Sequence, residues 1–168
     1  LFSGFKNPEN AAPVVDEQVP DNAEPIIIID KDKEQETTEV SLMVKHDVFP
    51  DSLKHDVNYL VFNYAKNAAM SMLNDRLREK ALDASCPYVS ASAGDGQYIF
   101  AKTKDAFSLD ASPKELSKAS ESLKAAYTEA LRAAKFGFTA TEFARFKESY
   151  LSSLDKMYSN KDKRYNSQ

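Results

Sequence analysis

One long amphipathic segment constrains the fold more than any other feature of the chain. From Asp51 to about Asp83, apolar residues recur at steps of three and four, which places them on one face of an α-helix. Asp51 and Ser52 follow Pro50 and are suitable N-cap residues. The sequence therefore predicts a helix over residues 51–83 whose apolar stripe packs on a core. The stripe comprises Leu53, Val57, Leu60, Val61, Tyr64, Ala65, Ala68, Met72, Leu73 and Leu77.

The composition is that of an ordinary globular domain. The 168 residues are 42% hydrophobic and 29% charged, which is enough apolar material for one core. The formal net charge of -4 argues against a nucleic-acid partner. No apolar run approaches the roughly 20 residues of a membrane-spanning helix. The one cysteine, Cys86, cannot form an internal disulfide, and we interpret it as a small apolar residue at the start of a strand.

Two strands are predicted before the long helix. The run Ile26–Ile29 holds four consecutive isoleucines, which is typical of a central strand that is buried on both faces. Residues 37–46 alternate apolar and polar side chains, which predicts a strand with one buried face. Because the link between them is short, we expect an antiparallel hairpin.

A second hairpin is predicted after the helix. Residues 88–93 and 98–111 have strand patterns and flank Gly94-Asp95-Gly96, whose Asp-Gly step favours a tight turn. The apolar parity changes within the second of these segments, so we expect a bulge near residues 103–105.

Two helices are predicted to close the chain. Ser112-Pro113-Lys114-Glu115 has the form of a capping box, and Gly137 predicts the end of that helix. Thr139 and Glu142 predict a second capping box, for a helix that continues to about Asn160. The buried stripe of the first of these helices is predicted to comprise Leu116, Ala119, Leu123, Tyr127, Ala130, Leu131 and Ala134.

Grouped antiparallel strands with long helices on one face predict an α+β two-layer sandwich. We divide the chain into an irregular connector over residues 1–24, a single domain over residues 25–160 and a frayed tail over residues 161–168. Because the chain begins with Leu and has no signal peptide, we expect a piece of a longer protein.

The sequence contains no complete motif for metal or nucleophile chemistry. It has no H-E-x-x-H, H-x-x-E-H, glycine-rich phosphate loop or G-x-S-x-G. Its two histidines, His46 and His55, could form a site with Asp47, or they could be solvent-edge residues beside a loop. We interpret Glu142 and Glu148 as part of a solvated helix face. The residues alone therefore predict no catalytic, cofactor-binding or metal-binding group.

Several stretches form a set when they are taken together. Thr38-Glu39-Val40-Ser41-Leu42 precedes the long helix, which ends in Met72-Leu73-Asn74-Asp75-Arg76-Leu77-Arg78-Glu79. The last predicted helix opens with Gly137-Phe138-Thr139, followed by Glu142, Arg145 and Lys147. In this order, over about residues 25–160, the set resembles the second, non-catalytic domain of the insulinase- and pitrilysin-type zinc metallopeptidases.

The resemblance implies the α+β LuxS/MPP-like metalloenzyme fold within a zinc-dependent metalloendopeptidase that degrades peptides. In that family an H-x-x-E-H helix of the first domain and a downstream Glu hold the zinc, so no zinc ligand or catalytic residue carries over to this chain. The implied role is a structural domain of the substrate chamber. Its implied partners are the catalytic domain of the same chain and peptide substrates, and its implied location is the bacterial periplasm or cell envelope.

Two alternatives remain at this stage. The chain could belong to an inactive family member that acts as a subunit or assembly partner without zinc. It could instead be a free-standing enzyme that uses His46 and His55. Under the leading interpretation the parent protein is a hydrolase, while this piece is inactive alone and self-associates through an uncovered sheet edge.

Overall fold

The computed structural model describes Gly4, Lys6 and residues 10–163 as an α+β fold with three helices and an open three-stranded antiparallel sheet. The strands are β1 (Val40–Asp47), β2 (Tyr88–Gln97) and β3 (Lys104–Pro113). The helices are α1 (Val57–Ala81), α2 (Ala119–Phe136) and α3 (Ala140–Ser159). Short 3₁₀ turns cover Asp51–Leu53, Leu116–Lys118 and Lys161–Lys163.

The central strand of the sheet is β3, in the order β1-β3-β2, and it pairs antiparallel with both neighbours. Leu109 stands opposite Leu42 on one side and Ala93 on the other. Directly opposed residues project from the same face of a sheet, so these three side chains share one face. On that face α1 packs against β2 and α2 packs against β3, while α3 packs on α1.

The main core lies between this sheet face and the two inner helices. Leu77, Leu109 and Tyr88 are fully buried there. The Tyr88 hydroxyl donates to the carbonyl of Leu77 over 3.1 Å, and its burial raises the pKa of the phenol. Cys86 is buried in the same cluster, which confirms its interpretation as a small apolar residue ahead of a strand. A smaller cluster of Ala68, Met72 and Phe146 joins α1 to α3.

The predicted isoleucine strand is wrong. Ile26–Ile29 has no regular secondary structure, and its side chains are 71% to 85% exposed. The partner of β1 is β3, so the predicted hairpin of the two segments does not form. Isoleucine favours strands because it packs well on a pleated surface, and the described residues give this run neither a partner strand nor a covering face.

The long helix begins later than predicted. Its N-cap is Asp56, whose side chain accepts the backbone N–H of Asn58 over 2.8 Å, whereas residues 51–53 form a 3₁₀ turn. The stripe is also only partly buried. Ala68, Met72, Leu73 and Leu77 are buried, while the N-terminal members Leu53, Val57, Leu60, Val61 and Ala65 are exposed.

The second hairpin turns at a different place. Gly94-Asp95-Gly96 lies inside β2, and the chain reverses over residues 98–103, where Ile99 has a φ of 52°. A Cβ at Gly94 would lie 3.2 Å from Ser108 Oγ, so the glycine permits a close cross-strand approach rather than a turn. The register shift lies between Tyr88 and Ser90, not near residues 103–105. The apparent parity change arose because Tyr98 and Phe100 belong to the turn.

The start of α2 also departs from the prediction. Ser112 and Pro113 end β3, and the Lys114 N–H donates to the Pro87 carbonyl over 2.9 Å, so strand pairing replaces the expected capping box. The helix begins at Ala119 after a 3₁₀ turn. Its fully buried residues are Ser122, Ala126 and Glu129, whereas Leu116, Tyr127, Leu131 and Ala134 of the predicted stripe are exposed.

The predicted corner between the last two helices is confirmed. Gly137 ends α2 with a φ of 70°, and its N–H donates to the Ala133 carbonyl over 2.9 Å. Thr139 and Glu142 form the reciprocal capping box of α3. Most of the predicted tail, residues 164–168, lies outside the described residues, and the division into connector, domain and tail stays a prediction. None of the described helices is both long and apolar enough to cross a membrane.

Candidate functional site

A polar cleft opens between the end of β1, the loop that follows it, the N-terminal half of α1 and the end of β2. Its volume is about 620 Å³. One wall is aromatic, because the Phe49 ring packs 4.9 Å from that of Tyr59 and 5.2 Å from that of Phe62. The other wall carries His46 and Asp95, so the cleft contains one of the two histidines that the sequence offers for chemistry.

Both ring nitrogens of His46 face acceptors. Nδ1 lies 3.0 Å from the Asp47 carbonyl oxygen, and Nε2 lies 3.0 Å from Asp95 Oδ2. Lys66 reaches from α1 to within 3.0 Å of the other oxygen of the same carboxylate. Since a carbonyl and a carboxylate both accept hydrogen bonds, these two contacts favour the doubly protonated, positively charged imidazole over either neutral tautomer.

The electrostatics agree with that assignment. Burial of the imidazole lowers the pKa of His46, but the hydrogen bonds to the Asp47 carbonyl and to Asp95 outweigh it, and the pKa is raised overall. A charged imidazole has no lone pair to offer a metal ion or a substrate proton. The cluster therefore joins β1, β2 and α1 through the contacts of Asp95 with His46 and Lys66.

The other candidate residues are not assembled around His46. His55 is exposed in the segment before α1. The Asp47 carboxylate accepts a hydrogen bond from Lys104 Nζ over 2.7 Å, and this hydrogen bond lowers the pKa of Asp47. Across the part of the chain that the structure describes, no three His, Cys, Asp or Glu side chains form a group that could hold a metal ion. His46, His55 and Asp47 are thus not brought together as one site.

A second polar group joins α1 to the α2–α3 corner. Arg76 contacts Glu142 through Nε at 2.5 Å and through a terminal nitrogen at 2.9 Å, and it also donates to the Gly137 carbonyl over 3.0 Å. The guanidinium lies 4.7 Å from the centre of the Phe138 ring. These contacts lower the pKa of Glu142 to about 2, chiefly through the Arg76 hydrogen bond.

The interpretation of Glu142 as part of a solvated face is wrong, because its side chain is only 12% exposed. A neighbouring carboxylate on α2, Glu129, is also buried and pairs with Lys80 over 2.9 Å and with Arg132 over 3.0 Å. The capping pattern of Thr139 was a signal that Glu142 has a fixed position. Nothing in the local sequence marks Asp95 or Lys66, whose partners are distant in the chain, and the burial of Glu129 depends on Lys80, 49 residues away.

The chain matches no protein-family model and no curated protein sequence. Two solved structures share its fold. The first half of the periplasmic protease PqqL from Escherichia coli matches with a TM-score of 0.65 at 17% identity, over 80% of this chain and 28% of that one. The crystal structure of the periplasmic protease PqqL gives the same TM-score and identity over 14% of its length. The chain therefore spans a small part of that protein in both structures, and at this identity the likeness establishes a shared fold.

Proposed function

We propose that this chain is a non-catalytic structural domain of a zinc-dependent metalloendopeptidase, where it forms part of the wall around a peptide-degrading chamber. The observation that carries the proposal is the fold shared with a segment of a periplasmic protease. The motif set around Met72–Glu79 and Gly137–Lys147 supports the same family. The zinc and the catalytic residues belong to another domain of the parent chain, in the periplasm or cell envelope.

The described residues fit a supporting role. His46 is engaged at both ring nitrogens, and the charge clusters around Asp95 and Glu142 join secondary-structure elements rather than line a shared reaction centre. The exposed apolar residues Val57, Leu60 and Val61 give α1 a surface that can pack on the catalytic domain. In the described part of the chain β1 pairs with β3 alone, which leaves an edge for extended peptides or for self-association of the isolated chain.

The decisive experiment is on the parent protein. The reading frame upstream of Leu1 should encode H-x-x-E-H on a helix with a downstream Glu, and the purified parent should cleave a quenched fluorescent peptide in a chelator-sensitive manner. An upstream region of similar pattern without these ligands would support the alternative, an inactive family member that acts as a subunit. Absence of any such region would overturn the family assignment.

A second measurement tests the claim that this chain has no active site of its own. The purified chain is dialysed against zinc, and its metal content is measured together with its peptidase activity. We expect neither bound zinc nor cleavage. Stoichiometric zinc that is lost in His46→Ala would overturn the proposal in favour of a free-standing metal site, and His55→Ala then shows whether the second histidine belongs to that site.

A further inference from the structure

An extended segment before β1 lies against the sheet and the β2–β3 turn. We call this segment, Asp16–Asp21, the strap. Its backbone is held at three points: the Val19 N–H donates to Thr103 Oγ1 over 3.3 Å, that hydroxyl donates to the Glu17 carbonyl over 3.4 Å, and Lys45 Nζ donates to the Pro20 carbonyl over 2.6 Å. Backbone contacts of this kind bind an extended chain without regard to its side chains.

Charge complementarity adds side-chain recognition. The strap carboxylates of Asp16 and Asp21 lie 3.1 Å from Lys102 and 2.9 Å from Lys104. With the strap in place the Lys104 side chain is only 11% exposed, and it also contacts Asp47 over 2.7 Å, a partner that does not belong to the strap. Two cations spaced along the segment, one of them anchored by Asp47, favour an acidic ligand over a neutral one.

The strap leaves space beside it unfilled. A groove of about 500 Å³ separates it from the β2–β3 turn and is lined by Val15, Tyr98, Ile99 and Phe100 among others. Phe100 is 90% exposed and Val15 is 70% exposed, so the native segment does not bury the apolar rim. A larger apolar side chain at the Val15 position would remove more of this surface from water.

The rim of the groove is also strained. Ile99 is a β-branched residue with a φ of 52°, a left-handed conformation that such side chains rarely adopt. Strain of this kind is costly and concentrates at ligand-binding segments. Here it accompanies an exposed apolar rim at the turn that the strap contacts.

We propose that the surface formed by Lys45, Lys102, Thr103 and Lys104 is a binding site for an extended acidic peptide with a bulky apolar residue before its first acidic residue. The strap occupies this site within the chain and competes with a peptide from another molecule. The proposed partner is thus a peptide in which an apolar residue is followed by two carboxylates with the spacing of Asp16 and Asp21. The site does not depend on whether the parent protein cleaves peptides.

The test uses the whole chain and a fluorescent peptide with the sequence of residues 14–22, VVDEQVPDN. Its binding is followed by anisotropy to the native chain and to a strap variant, Asp16→Asn with Asp21→Asn, which retains the shape of the segment. We expect the strap variant to bind the peptide at least about tenfold more tightly, because a tethered competitor acts at millimolar effective concentration. A peptide with Phe at the Val15 position should bind roughly tenfold more tightly still, since it fills the groove.

The site variants decide the outcome. In the strap-variant background, Lys45→Gln and Thr103→Val should each weaken peptide binding several-fold, while Lys147→Gln, an exposed lysine on α3, should leave it unchanged. Circular dichroism verifies that each variant is folded. Absence of saturable binding to the strap variant would overturn the proposal, as would binding that is insensitive to Lys45→Gln and Thr103→Val. Neither result bears on the zinc motif of the parent chain, so the proposed function is tested separately.

Discussion

The two halves of α1 have the same kind of sequence and different surroundings. Both carry apolar residues at helical spacing, yet Leu77 is fully buried whereas Leu60 is 67% exposed. The C-terminal half packs on β2 and contacts α3 through Met72 and Phe146. Farther toward the N-terminus, the Tyr64 ring still packs on Tyr150 at 5.2 Å, and the apolar residues before it are exposed.

The comparison teaches that periodicity defines a face and does not determine what covers it. An apolar stripe is a property of the helix, while its burial depends on how far the neighbouring elements extend. The buried half of α1 should therefore carry the stability of the domain. The exposed half is available for contacts with other domains or chains.

Truncating one leucine in each half should give the largest contrast. We expect Leu77→Ala to lower the free energy of unfolding by roughly 3 kcal/mol, because it leaves a cavity in the core. Leu60→Ala should change it by less than about 0.5 kcal/mol, since that side chain is 67% exposed. Urea denaturation of both variants measures the difference. Similar losses at the two positions would show that the exposed half is covered after all.

The Arg76–Glu142 pair should make the buried half sensitive to acid. The carboxyl ionises at a pKa of about 2 in the folded chain, against 4.5 for an unperturbed glutamate, so its stabilisation is complete above about pH 4.5 and is lost as the pH falls toward 2. We expect Glu142→Gln to cost about 2 kcal/mol at neutral pH.

The same variant should flatten the decline of stability over that pH range. The control is Glu148→Gln, an exposed position on the same helix, which should retain both the stability and the pH dependence of the native chain. An unaltered acid profile in Glu142→Gln would contradict the role given to this pair.

Asn74 tests how the buried half holds the sheet. Its amide donates to the Ala93 carbonyl and accepts the Ala93 N–H, each over 2.8 Å, and so takes the place of a strand partner on the outer side of β2. We expect Asn74→Ala to destabilise the fold by about 1.5 kcal/mol, because two backbone groups lose their partner. Asn67→Ala, on an exposed position of the same helix, should have almost no effect in the same unfolding assay.

The smallest effect is expected at the exposed end of the helix. Asp56→Ala removes the N-cap acceptor of α1 and should cost about 1 kcal/mol. Asp51→Ala, at the cap position that the sequence suggested, should cost less, because Asp51 only pairs with Lys54 at the surface. Thermal unfolding of the two variants compares the two losses of stability. A larger loss in Asp51→Ala would support a helix that begins near Asp51, as the sequence suggested.

Elements with local signals were predictable from the sequence. The Gly137 stop and the Thr139–Glu142 capping box define the α2–α3 corner within six residues, and both are present. Failures occurred where the structure depends on distant partners. The Ile26–Ile29 run has strong strand propensity, but only a neighbouring edge could make it a strand. Gly94 was wrongly interpreted as a turn residue. Its role is set by Ser108 on the neighbouring strand, which the local sequence does not reveal.

The candidate site also combines a residue that the sequence singled out with a partner that it did not reveal. His46 was selected from the sequence because histidine is rare in this chain and chemically versatile. Its true partner, Asp95, is 49 residues away in β2. His46 and Asp95 come together because the sheet order β1-β3-β2 places β1 on one side of β3 and β2 on the other. No local pattern in the sequence reveals that order.

The α2–α3 corner also has a consequence for the kinetics of folding. Its own hydrogen bonds span three or four residues, whereas Arg76 reaches the Gly137 carbonyl across 61 residues and Glu142 across 66. Contacts within a short loop can form before those that close a long one, because closing the longer loop costs more chain entropy. The corner can thus form as a local unit, and its docking on α1 is a late event. Late contacts act mainly on the unfolding rate, so we expect substitution of Arg76 to shorten the lifetime of the native state more than it slows folding.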